Sequence, residues 1–123
     1  MSRNRLGIVV LAVTSFVLAW TVPALARHGT AAGGTITVTA GKPSEFKFTL
    51  SKHSIAKGAV TFFVSNKGAL AHDFKIAGHV TKRISAAHSA VLTVAFTKAG
   101  SYPYMCTVPG HAAAGMKGVL KVT

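Results

Sequence analysis

The sequence predicts an all-β fold, an antiparallel β-sandwich or barrel of about seven to eight short strands. Three observations carry this reading. Polar and apolar residues alternate with period two in several segments, Gly/Pro/Asn turns cut those segments short, and helical periodicity never persists beyond a turn or two.

Thr35-Ile36-Thr37-Val38-Thr39 alternates cleanly, the mark of a strand with one buried face. Gly41-Lys42-Pro43-Ser44 is turn chemistry. Glu45-Phe46-Lys47-Phe48-Thr49-Leu50 alternates again and puts Phe46, Phe48 and Leu50 on one face. Lys57-Gly58 breaks the chain before residues 59–65, a β-branched and aromatic run expected to be buried on both faces. Asn66-Lys67-Gly68 is a further turn, and residues 73–76 read as a short strand. Residues 81–87 carry the weakest pattern and leave room for a single helical turn. Residues 89–97 hold two alternating sets, Val91, Thr93, Ala95 and Leu92, Val94, Phe96. Lys98-Ala99-Gly100 turns into residues 101–107, and residues 118–122 close the domain with Val119 and Lys121 opposite Leu120 and Val122.

The N-terminal stretch reads as a targeting signal. Arg3 and Arg5 form a basic start, residues 6–20 an apolar run, and Ala24-Leu25-Ala26 a small-residue cleavage pattern. That run is shorter than the roughly 20 residues of a spanning helix. The expected organisation is a secretory signal over 1–26, a flexible Gly/Ala-rich lead over 27–34 and one domain over 35–123. A retained membrane anchor is the alternative. No cysteine stands near the cleavage point to take a lipid, and Asn4 separates the arginines, against a twin-arginine signal. Export of an unfolded chain follows, to the periplasm or another exported location, with any metal acquired outside the cytoplasm.

Cleavage after Ala26 leaves 97 residues, enough for one core and not for two. Of the fourteen basic residues only Arg3 and Arg5 depart, so twelve face Glu45 and Asp73, a charge of about +10. Such a balance attracts an acidic partner or an anionic membrane surface. Nucleic acid is not expected, because the lysines are scattered singly with no basic helix or run. The single cysteine, Cys106, cannot form an internal disulfide, so in an oxidising compartment it is either a buried inert thiol or a held thiolate.

The segment Tyr102-Pro103-Tyr104-Met105-Cys106-Thr107-Val108-Pro109-Gly110-His111-Ala112-Ala113-Ala114-Gly115-Met116 favours the second. Cys, His and Met follow one another in a Gly/Pro/Ala loop between two strands, while the turn at residues 66–71 delivers His72 from far upstream. Two imidazoles, a thiolate and a weak thioether are the ligand set of a mononuclear blue-copper site. The spacing lets one loop curl around one ion, with Gly110 and Gly115 free to take positive φ. Alternation puts Tyr102, Tyr104 and Cys106 on the core side and Met105 on the other, which selects Met116 over Met105 as the axial sulfur.

The elements Asn66-x-Gly68…His72-Asp73-Phe74 and Tyr104-x-Cys106-Thr107-x-Pro109-Gly110-His111-x4-Met116-x-Gly118 resemble the two metal-binding segments of cupredoxins, the plastocyanin-, azurin- and amicyanin-like proteins. The motifs cover residues 66–118. The resemblance implies a Greek-key sandwich, one copper ion cycling Cu(I)/Cu(II), equatorial ligands His72, Cys106 and His111, and an axial Met116. It implies also that Asn66 steadies the ligand loop, and that electrons pass through a partly exposed His111.

The function expected is an exported, non-enzymatic, monomeric single-electron carrier, without stable membrane insertion after cleavage. A copper delivery or storage module is the alternative, although the domain's only methionines are Met105 and Met116. His53, His79 and His88 read as surface residues, and His28 lies just past the cleavage point. A Cys106 nucleophile with His111 as base has no carboxylate nearby in the sequence to orient it.

Overall fold

The computed structural model describes residues 33–123, so the expected signal and nearly all of the lead lie outside the described residues. In chain order the strands are β1 (Gly34–Ala40), β2 (Phe48–Leu50), β3 (Ser54–Ile55), β4 (Gly58–Asn66), β5 (Lys75–Ile76), β6 (His79–Val80), β7 (Ser89–Phe96), β8 (Gly100–Met105) and β9 (Lys117–Val122). They form two sheets, ordered β2-β1-β4-β7 and β3-β9-β8-β5-β6. Among the described residues no helix is long and apolar enough to cross a membrane.

Alternation places the core between the sheets. Ile36 and Val38 of β1, Val60, Phe62 and Val64 of β4, and Val94 and Phe96 of β7 meet Ile76, Tyr104, Leu120 and Val122 from the facing sheet. Each such side chain contributes roughly 1.5–3 kcal/mol by leaving water. Phe74 sits at the centre, edge-on to Phe48 at 5.3 Å and tilted against Phe62 at 5.3 Å between ring centroids.

The all-β sandwich is as the sequence predicts, but its sheets are mixed rather than purely antiparallel. β1 runs parallel to β4 and β3 parallel to β9, while the other pairs are antiparallel. Alternation fixes which face of a strand is buried and carries no information on the direction of its neighbour. Between β1 and β4 the chain reverses through β2 and crosses to the other sheet as β3, so it returns beside β1 in the same direction.

Local expectations are corrected too. β4 is buried on one face only, since Phe63 is exposed and pairs across the outer surface with Val91. The alternating run at 45–50 forms a strand only from Phe48, because Glu45 and Phe46 turn toward the end of the sandwich. Residues 81–87 form no helical turn. Ile84 is buried and bridges antiparallel to His72, and residues 85–88 then close a tight turn, His88 N–H to the Ser85 carbonyl at 3.1 Å with Ala87 at φ 64°, which is not helical.

Candidate metal centre

Three registers deliver the site. In the hairpin of β8 and β9, Met105 pairs with Lys117, and continuing that register one step sets Cys106 opposite Met116, whose carbonyl accepts the Cys106 N–H at 3.0 Å. Between β5 and β8, Lys75 pairs with Met105, and two steps on Asp73 comes opposite Thr107. In the parallel pair β1 and β4, Ala40 pairs with Asn66, so the loops leaving both strands emerge side by side at one end of the sandwich.

The 106–116 loop is closed by its own hydrogen bonds. His111 N–H donates to the Val108 carbonyl and Met116 N–H to the His111 carbonyl, each at 3.0 Å. Gly110 (φ 83°) and Gly115 (φ 111°) take the left-handed conformations that close this curl. The result brings together the residues that the spacing singled out. His72 Nδ1 lies 3.1 Å from His111 Nδ1, and Cys106 Sγ lies 4.0 Å and 3.6 Å from those two nitrogens. The three donor atoms all fall within 4.8 Å of one another.

Met116 is fully buried in a small apolar cluster with Cys106 and Ala40, whereas Met105 is 40% exposed. His72 is 0% and His111 8% exposed, so of the two rings only His111 reaches the surface. Phe46 packs edge-on against the His111 ring, 5.0 Å between centroids. His53, His79 and His88 are exposed and contribute nothing to the cluster, and His28 lies outside the described residues.

Burial pushes the Cys106 thiol above its ordinary range, although the Asp73 and Val108 backbone amides pull it the other way. Burial, reinforced by His72, holds the His111 imidazole below its ordinary value, so at neutral pH it is an uncharged donor. A soft sulfur and two imidazole nitrogens at these separations, in buried residues, are a donor set that fits one copper ion.

The loop carrying His72 is held by Asn66, which is wholly buried. Its Nδ2 donates to the carbonyls of Leu70 (2.7 Å) and Ile84 (2.9 Å), and its Oδ1 accepts from Gly68 N–H (2.9 Å). Ile84 in turn exchanges both backbone hydrogen bonds with His72. Asp73 ties the other ligand loop, accepting from Thr107 N–H at 2.6 Å and from the Thr107 hydroxyl. Arg83 Nε stands 3.8 Å from the same carboxylate.

Sequence reasoning missed Glu45. Its Oε1 lies 2.8 Å from His72 Nε2 and accepts Leu70 N–H at 2.9 Å, while Oε2 accepts Ala69 N–H at 2.9 Å. Those amides, with His72 adding to them, draw its carboxyl down to about 2. Gly68 makes the approach possible, since a Cβ there would land on Glu45 Oε1. Phe46 was missed as well. Both belong to a segment whose alternation reads as a strand, and no local signal turns it toward the site.

A two-sheet sandwich with buried His, Cys and His donors at one end, and a Met on the same loop, defines the cupredoxin class. The chain belongs to it: the family model "copper binding proteins, plastocyanin/azurin family" matches residues 34–123. Solved structures agree in fold. The chain is similar to auracyanin B at 22% identity and TM-score 0.63, over 79% of this chain and 92% of that one. It is similar to auracyanin A, a "blue" copper protein from the green thermophilic photosynthetic bacterium Chloroflexus aurantiacus, at 23% identity and TM-score 0.60, over 74% and 100%. Reduced rusticyanin matches at 22% identity and TM-score 0.58, over 76% and 81%. No curated protein sequence matches the chain significantly.

Proposed function

We propose that this protein is an exported single-electron carrier whose one copper ion is bound by His72, Cys106 and His111, with Met116 as the weak axial ligand. The observation that carries this reading is the buried cluster of two imidazole nitrogens and one thiol sulfur, all within 4.8 Å. Bound there, copper would supply one-electron chemistry by cycling between Cu(I) and Cu(II). Everything else is the work of the chain. His72 and Cys106 are held by β-register and shut away from water, so the donor set is preformed and small change is required of it between redox states. Met116 is at hand on the same closed loop, and Asn66 braces the approach to His72.

His111 is the route for the electron, because it alone among the histidines of the cluster reaches the surface. Around it the half-buried or exposed Val108, Pro109, Ala112, Ala113 and Ala114 carry no charge, and Leu70 is exposed on the neighbouring loop. This gives a small apolar landing for a transient redox partner. The scattered lysines steer a partner with an acidic surface toward it. The monomer needs no nucleic acid and no enzymatic group for this role, and export follows from the signal pattern of residues 1–26.

Potentiometric titration of the copper-loaded protein, followed by its visible band and then by stopped-flow reduction with an acidic redox protein, tests this. A reversible one-electron transition with copper retained over repeated cycles is expected, and the reduction rate falls as ionic strength rises. Loss of copper to a Cu(I) chelator at each reduction would instead make the protein a delivery or storage module.

A further inference from the structure

The only two acidic side chains of this strongly basic chain, Glu45 and Asp73, both lie at the metal centre. They do different things there. Asp73 touches no ligand ring: it holds Thr107, and Arg83 stands against its charge. Glu45 meets His72 itself, at the ring nitrogen turned away from Cys106 and His111, and among the described residues no lysine or arginine lies within ion-pair distance of it. We propose that Glu45 is a positioning residue for His72 whose fixed negative charge biases the centre toward Cu(II), setting its reduction potential below what the ligand set alone would give. The inference rests on the copper reading above.

The geometry supports two separable effects. His72 is fully buried, so its Nε2 has no water to turn to, and the hydrogen bond to Glu45 fixes the ring with Nδ1 toward the cluster. Such an outer partner also raises the electron density that the ligand nitrogen donates. The carboxylate is itself immobilised, one oxygen on Ala69 N–H and the other on Leu70 N–H, with Gly68 closing the space behind it. A charge held this close stabilises the more positive of two copper states more than the less positive one.

Glu45→Gln keeps the shape and an acceptor oxygen while removing the charge. The test is the midpoint potential of copper-loaded wild type and E45Q, together with Cu(II) and Cu(I) affinities from chelator competition. E45Q is expected to keep its visible band, to lose about tenfold or more in Cu(II) affinity, and to hold Cu(I) nearly as before. Each tenfold of that difference is a rise of about 59 mV for a one-electron couple. Glu45→Asp, which restores the charge at shorter reach, returns part of the shift. Should E45Q fail to fold, Glu45→Asp alone carries the test, since it keeps the charge but draws it back from His72, and it is expected to raise the potential by a smaller step. An unchanged potential in whichever variant folds, or an equal loss of both affinities, overturns the proposal and leaves Glu45 a structural brace. Absence of a blue band in the wild type would sink the copper reading instead, which keeps the two failures distinct.

Discussion

Glu45 Oε1 lies 2.8 Å from His72 Nε2, a contact between residues 27 positions apart that depends on β1 and β4 running parallel. Because Ala40 pairs with Asn66, the loops that follow the two strands leave the same end of the sandwich. Gly41 and Gly68 let those loops touch: a Cβ on Gly41 would meet the Gly68 backbone. An antiparallel pair would send them to opposite ends.

This contact makes the apo protein acid-sensitive in a defined window. The folded carboxyl titrates at about 2, drawn below its ordinary value of 4.5 by the Ala69 and Leu70 amides and by His72. A depressed carboxyl stabilises the fold fully above the ordinary value and loses that contribution as pH falls toward the folded one. Denaturant titrations of apo wild type and Glu45→Gln should therefore differ at neutral pH, with wild type the more stable, and converge between pH 4.5 and 2. A gap that stays constant through that window contradicts the clamp.

Asn66→Ala removes one side chain that satisfies three backbone groups around the approach to His72. The Ile84 carbonyl keeps its bond from the His72 N–H but loses the one from Asn66, and the Leu70 carbonyl and Gly68 N–H lose theirs, which together costs roughly 1–3 kcal/mol. Apo stability should fall by at least that amount in urea, and copper affinity should fall with it, because Ile84 bridges to His72. Loss of neither would mean that the loop is held by other contacts.

Much of the centre was legible because its parts are close in sequence. Cys106, His111 and Met116 share one loop, and strand alternation sets Cys106 inward and Met105 outward, as the burial of one and exposure of the other bear out. The same alternation identified β1, β7 and β9 and the core residues they supply. It failed where the signal is not local. Phe63 continues an apolar run yet faces out, since the run records composition and not the layer covering it. Glu45 and Phe46 sit in a pattern that any strand would show, and what turns them to the site is a neighbour 20 or more residues away. The parallel pairing behind that neighbour leaves no mark on either strand.

Copper loading should release the Cys106 proton. Burial raises the thiol above its ordinary range, so at neutral pH the apo protein holds a thiol that must deprotonate to ligate. Apparent Cu(II) affinity, measured by chelator competition at constant ionic strength, should climb with pH across the neutral range. Cys106→Ser should flatten most of that climb. An affinity indifferent to pH in the wild type would mean that the sulfur is not a ligand.

The account turns on that sulfur and the two imidazoles beside it. Visible absorption and electron paramagnetic resonance of the purified protein after addition of one equivalent of Cu(II) test it most directly. The arrangement of His72, Cys106 and His111 predicts an intense thiolate-to-copper band and narrow copper hyperfine splitting, both abolished in Cys106→Ser. A pale, ordinary Cu(II) spectrum, or tight binding of Cu(I) alone, would contradict it.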